Sequence, residues 1–339
     1  AVLTDARLDG VVWIGARLPS AQLRGAGLGQ GPIVEASFAG ADAAVSDWRG
    51  ARFERCDLRA INLARADLTG AAFCEVDLTG ARLCEAIFID ADLAESVLAA
   101  ADLTGARLVR ARLAYVELGG ATLAEADLSG AHFYRAAMAG LDLRLVRLSR
   151  ETSFEAASLA GADLTAIDAT GSVWVNADLR GARLAGARLN AIRGKQLELT
   201  GADLTGAQLL RADLRAADLS EAQLSDADLR GADLRGVQLR RAVMWRARFD
   251  LCAMSRSQIV ESDLREARFD HADVRHSMIE HCHLAAASFV DAKLDGVSLH
   301  GSQGEGTDYR GASMSAVSRT DPKRAKAERF EPPRRGPSP

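Results

Sequence analysis

Four histidines and a cysteine crowd the segment HADVRHSMIEHCHL, residues 271–284. Imidazole beside thiol is zinc chemistry, and a zinc site needs three or four ligand atoms about 2.0–2.3 Å from one point. His271, His276 and His281 recur every five residues, and Cys282 and His283 follow directly. Carboxylates are also abundant, with 46 Asp and Glu, and paired carboxylates are the material of general acid–base catalysis. The glycine-rich stretch GAGLGQGP (25–32) shares only its composition with a phosphate-cradling loop, because no Gly-Lys-Ser/Thr ending and no helix pattern follow it. Trp245 stands among Arg240, Arg241, Arg246 and Arg248, residue types that protein interfaces favour.

Which of these residues converge depends on a five-residue period. Cut in fives from residue 1, the chain reads AVLTD, ARLDG, VVWIG, ARLPS, AQLRG, and the register holds to Arg150. The third slot is almost always Leu, Phe, Trp, Ile or Met, with rare exceptions such as Ala43. Glu151 is one extra residue, after which TSFEA, ASLAG and ADLTA resume the fives to about Ala316. Weak phrases fall at Ala169, at IRGKQ (192–196) and at SQGEG (302–306). The chain therefore divides into a segment 1–150, a segment 151–317 that follows the insertion, and a tail 318–339 of different composition.

Five is neither the strand period of 2 nor the helix period of 3.6. The first and third residues of a phrase are two apart, so in extended backbone they point the same way. A small first residue and a large third one can both face inward if the rest of the phrase turns a corner. Four corners close a coil in about 20 residues, and coils stack about 4.8 Å apart through backbone hydrogen bonds. Bulky residues should then recur at 20, as Trp13, Ile33, Phe53 and Phe73 do, and as Phe249, Phe269 and Phe289 do. Burying one Leu contributes about 2 kcal/mol, whereas ordering five backbone units costs about 5–10 kcal/mol. A single coil fails on those terms, so stability has to come from stacking.

The phrases ADLTG (101–105, 202–206), ADLSG (126–130) and ADLRG (227–231) resemble the A(D/N)LXX pattern of the pentapeptide-repeat family, and the resemblance covers about residues 1–316. It implies an all-β fold, a right-handed quadrilateral β-helix of about 16 coils, roughly 75 Å long. On that frame His271, His276 and His281 close successive phrases and diverge, while Cys282 points inward. The segment is read as surface histidines rather than a metal site. The second-slot Asp residues face solvent on a lattice, and their pairing follows from the repeat. No catalytic residue, cofactor or metal is expected, and the chain reads as non-enzymatic.

Some proteins that share the family pattern resemble duplex DNA and bind type II topoisomerases, protecting them from quinolones or other poisons. That role requires an acidic rod, since DNA carries about one negative charge per 1.7 Å. Residues 56–105 partly qualify, with nine Asp/Glu against three Arg; residues 230–256 do not, with seven Arg against two Asp. Asp213, Asp233 and Asp273 share one column beside Lys195, Arg215, Arg235 and Arg275, so opposite charges there relieve one another. The favoured function is a protein-interaction scaffold, a module of a larger bacterial protein; the family also includes modules tied to secretion machines. The alternative is the DNA-mimicking gyrase binder. Candidate partner contacts are Asp57, Asp67, Asp77, Asp92 and Asp102 in the acidic band, and Arg240, Arg241, Trp245, Arg246 and Arg248 in the basic one. The expected partner is a protein, with no direct contact to nucleic acid.

Five cysteines without regular spacing fit a reducing compartment, and a cytoplasmic location is expected. No run of 18 apolar residues predicts a membrane span. The chain starts in register at Ala1 with no recognisable cap and no Met, which predicts an end that continues into further sequence or pairs with a partner, an end-to-end dimer included. In the tail, Asp321-Pro322 is a cap and first-turn pair for a short helix to about Phe330, ended by Pro332 and Pro333; a disordered tail is the other reading.

Overall fold

The computed structural model describes residues 1–328. Its building unit is one phrase: an extended residue pair around a bridge, then a two-residue turn. The first and third slots are buried almost throughout, as with Ala66 and Leu68 or Ala212 and Leu214. Parallel pairing joins residues 20 apart, for example Val2 to Gln22 and Ser298 to Ser318. Where pairing is most regular it forms two small sheets. One contains β1 (Trp13–Ile14), β2 (Pro32–Val34), β3 (Arg52–Glu54) and β4 (Ala72–Cys74); the other contains β5 (Gln238–Arg240), β6 (Gln258–Val260) and β7 (Met278–Glu280). Both are parallel with successive strands adjacent, the signature of a solenoid.

The backbone hydrogen bonds explain the phrase. In the phrase Ala66–Gly70, the second-slot N–H donates to the coil below (Asp67 N to Ser46 O, 2.9 Å). The third and fifth donate to the coil above (Leu68 N to Ile87 O, 2.8 Å; Gly70 N to Ile89 O, 2.9 Å). The first N–H of the next phrase closes the turn (Ala71 N to Leu68 O, 3.0 Å). One donor is left over, the fourth-slot N–H, and it donates to the second-slot carboxylate: Thr69 N to Asp67 Oδ1, 3.0 Å. The Asp of the phrase is therefore an Asx-type cap for the corner. The fifth slot takes a left-handed backbone even where it is not glycine, as at Glu266 (φ 59°) and His276 (φ 60°), a conformation that costs an L-residue of order 1 kcal/mol.

The interior columns stack as the period predicts. Trp13, Ile33, Phe53 and Phe73 pair in register, and Phe53 lies over Phe73 at 5.0 Å between ring centres. Phe249, Phe269 and Phe289 stack at 4.8 Å per step, and Tyr309 continues the column at 5.4 Å. Glu151 lengthens one coil to 21 residues, so His132 pairs with Ser153 and Asp142 with Asp163. Thr152 heals the corner: its hydroxyl receives the Ser149 N–H (2.9 Å) and donates to Leu128 O (3.1 Å). At the weak phrase 192–196, Gly194 leaves third-slot space that Leu197 and Leu214 fill, both within 3.1 Å of where a Cβ would stand.

After the last coil, α1 (Pro322–Glu328) forms, capped by Asp321, whose Oδ1 accepts the Lys323 N–H at 2.8 Å. Phe330, Pro332 and Pro333 lie outside the described residues. No helix among the described residues is long and apolar enough to cross a membrane.

Candidate functional site

With the lumen filled, chemistry is confined to four walls and their corners. The acidic candidates are distributed around the rod. Asp57 and Asp77 pair on one wall, Asp67 lies on the wall of Asp47, Asp92 on that of Arg112, and Asp102 on that of Arg82. They form a belt that reaches all four walls. Within the belt Asp57 is neutralised by Arg59 (2.8 Å) and Asp92 faces Arg112 (3.4 Å). Asp67, Asp77 and Asp102 cap Thr69, Thr79 and Thr104 and have no guanidinium in their own phrase; Arg49 and Arg59, from the coil before, approach Asp67 and Asp77 at 3.8 Å. The Arg59 guanidinium holds the Asp57 carboxyl below its usual range, and the Thr104 hydroxyl does the same for Asp102.

The basic candidates occupy three consecutive walls, since Arg240, Trp245 and Arg248 belong to the successive phrases 237–241, 242–246 and 247–251. Trp245 is exposed, with Arg246 over its ring at 5.0 Å. Arg240 donates to Gln258 (2.8 Å), Arg241 pairs with Glu221, Arg246 with Asp226 (3.4 Å) and Arg248 with Asp250 (3.6 Å). These guanidiniums are engaged by neighbours one coil away or within the same phrase, and only Trp245 with Arg246 forms a compact contact element.

Across the second half the phrase Asp-Leu-Arg produces a bidentate ion pair inside each corner. Arg215 holds Asp213 at 2.8 and 2.6 Å, Arg235 holds Asp233 at 2.8 and 2.5 Å, and Arg275 holds Asp273 at 2.8 and 2.6 Å. The Arg guanidinium lowers the carboxyl of Asp213 and of Asp273. These columns are neutral at the surface, as the sequence pattern predicts.

Within segment 271–284, His271, His276 and His283 are exposed and Cys282 points inward, as read, but His281 has company from outside the segment. Cys282 is buried, its thiol pushed up to about 11 by burial. His271 approaches Asp291 at 3.8 Å. His281 meets two residues that sequence spacing did not associate with it, His300 and Glu328, and the three ligand atoms lie within 4.8 Å of one another. Buried His300 accepts the Asp321 N–H at Nδ1 (3.1 Å), so its proton resides on Nε2, which donates to Glu328 (3.0 Å). A metal on Nε2 would drive that proton to Nδ1, against the Asp321 N–H. The arrangement suits a hydrogen-bonded clasp on α1. Beside it, burial pushes the Glu280 carboxyl up, but hydrogen bonds from Arg324 (2.7 Å) and Ser298 outweigh it and hold Glu280 below its ordinary value. Glu280 and His300 are fourth-slot residues of the phrases 277–281 and 297–301, but Arg324 and Glu328 carry no period, and only the Asp-Pro start of the helix signalled that the tail would fold back.

The model of the family of pentapeptide repeats matches the chain in 8 copies, over residues 36–73, 51–88, 77–114, 111–150, 157–192, 198–236 and 232–270. Comparison with curated proteins finds no match. Among solved structures, HetL, a pentapeptide repeat protein involved in heterocyst differentiation regulation from the cyanobacterium Nostoc sp. strain PCC 7120, is 29% identical; the alignment covers 70% of this chain and 89% of HetL, with a TM-score of 0.35. QnrB1, a plasmid-mediated fluoroquinolone resistance protein, is 18% identical over 54% of this chain and 89% of its own, with a TM-score of 0.35. A pentapeptide repeat protein from the Arabidopsis thaliana thylakoid lumen is 29% identical over 32% of this chain and 68% of its own, with a TM-score of 0.23.

Proposed function

This chain belongs to the pentapeptide repeat family, and from that premise we propose that it is a non-enzymatic protein-interaction scaffold, a stiff four-walled module of a larger bacterial protein. The observation that carries the reading is the fate of the polar residues. Second-slot Asp residues cap the corners and hold Arg two residues on, as Asp213 does with Arg215. Their structural work accounts for their presence without an acid–base role. What remains is a set of flat walls of fixed charge pattern, broken by exposed groups such as Trp245 and the Tyr115–Tyr134 pair, whose rings meet edge-on at 5.5 Å. Walls of this kind suit complementary protein surfaces, where charge pattern sets specificity. Affinity capture with the whole chain, compared with Trp245→Ala and Tyr134→Ala variants, tests it: the scaffold reading expects partners retained by the parent and lost selectively by each variant, and identical profiles count against it.

A second reading, the gyrase-binding DNA mimic, draws on the belt at 56–105, where Asp67, Asp77 and Asp102 have Thr rather than Arg two residues on, and Arg49 and Arg59 approach Asp67 and Asp77 no nearer than 3.8 Å. Supercoiling by gyrase with and without ciprofloxacin, titrated with the protein, decides it. Neither inhibition nor protection at micromolar protein removes this reading.

A further inference from the structure

The second-half lattice has one defect that the repeat itself exposes. On the wall of Asp213 the successive second-slot residues are Asp213, Asp233, Ala253, Asp273 and Lys293. The fourth-slot partners are Arg215, Arg235, Ser255 and Arg275. The phrase CAMSR (252–256) thus omits both the carboxylate and its guanidinium, yet supplies a new one at the corner, Arg256. Omission of two long side chains opens a groove of about 490 Å³, lined by Arg235, Gly236, Ser255, Arg256, Arg275 and His276.

The charges around this groove do not cancel. Arg235 and Arg275 are each matched by the bidentate Asp of their own phrase. Arg256 is exposed and makes no ion pair among the described residues. One positive charge therefore stands unmatched in a groove whose other two guanidiniums are already engaged. The Ser255 hydroxyl adds a donor beside the half-buried Ala253, where every flanking phrase of this column has its acid.

We propose that this groove is a receptor for a single carboxylate of an acidic protein segment, which takes the place of the missing lattice Asp. The surplus of one charge matches a monoanion, and the Ser255 hydroxyl stands beside Arg256 to donate to it, while Arg235 and Arg275 are each held by the Asp of their own phrase. The site rests on the scaffold reading and specifies it: an Asp- or Glu-bearing partner docks on this wall at the level of residues 253–256, with its neighbouring acids free to meet the Arg columns above and below.

The probe is a hexaglutamate peptide, with inorganic phosphate as a parallel arm, each titrated calorimetrically into the whole chain at low salt. Two variants remove the site in opposite ways. Arg256→Gln deletes the unmatched cation, and Ala253→Asp supplies the absent carboxylate from within, on a column that already carries Asp. Arg211→Gln, an exposed fifth-slot arginine on another wall, is the control. Hexaglutamate affinity is expected to fall roughly fivefold in both site variants, the effect of losing one exposed charge pair, and to hold in the control. Equal affinity across all four proteins, or phosphate binding tighter than the peptide, overturns the proposal. Peptide binding that follows this pattern while affinity capture returns no partner would retain the site and reject the scaffold role, so the two failures are separable.

Discussion

The phrases Asp-Leu-Thr and Asp-Leu-Arg fold identically and present opposite surfaces. In the belt at 56–105, Asp67, Asp77 and Asp102 cap the N–H of a Thr, and no guanidinium of the same phrase covers the carboxylate; Arg49 and Arg59 approach Asp67 and Asp77 only at 3.8 Å. In the second half, Asp213, Asp233, Asp263 and Asp273 make the same cap to an Arg, whose guanidinium returns to cover the carboxylate. The second slot is set by the backbone and the fourth by what the wall must meet. One residue per phrase therefore decides whether a wall is acidic or neutral, at no cost to the corner. The comparison separates folding from recognition within a five-letter unit.

If the two halves differ only outside, their lumens should respond alike. Phe73→Ala and Phe269→Ala each remove a buried ring from a stack and are expected to cost about 3–5 kcal/mol. Denaturant midpoints measure this, and a difference of more than about 2 kcal/mol between them would show that the halves are not equivalent inside. The corner caps should separate the halves modestly. Asp102→Ala loses one hydrogen bond to the backbone, about 1 kcal/mol; Asp213→Ala loses that bond and a surface ion pair of at most about 1 kcal/mol more. Equal losses would mean that the Arg contributes only to the surface.

Acid should reveal the smallest difference. The carboxyls of Asp178, Asp213, Asp263 and Asp273 are lowered in the fold, chiefly by the Arg hydrogen bond, against about 3.9 in an unfolded chain. A lowered carboxyl stabilises the fold above the unfolded value, and that contribution is lost as pH falls through the folded value. The melting temperature should therefore be flat from pH 8 to about 5 and fall below about pH 4. Replacing Arg215, Arg265 and Arg275 by Gln should shallow that fall. A curve unchanged by the triple replacement would detach the Arg columns from acid stability.

Side-chain size repeats at five and at 20, so the lumen, the four walls and the stacked Phe249, Phe269 and Phe289 are legible from letters alone. The neutral Asp213 column is legible for the same reason. The purpose of the second-slot Asp is not, because it answers a single unpaired N–H that only the three-dimensional bonding pattern exposes. The basic candidates looked contiguous at Arg240 to Arg248, but eight residues of this backbone turn through two corners and send them to three walls. The clasp of His281, His300 and Glu328 escaped because it joins a periodic lattice to a helix that has no period.

The corner at Thr152 shows that one additional codon can enter this gene and be absorbed without disturbing the columns on either side. Duplication or loss of a twenty-codon block would pass still more quietly, since every column would simply gain or lose one rung. The span between the two ends of such a molecule is thus open to inherited adjustment in steps of about 4.8 Å, a ruler whose graduations selection can add or erase one at a time.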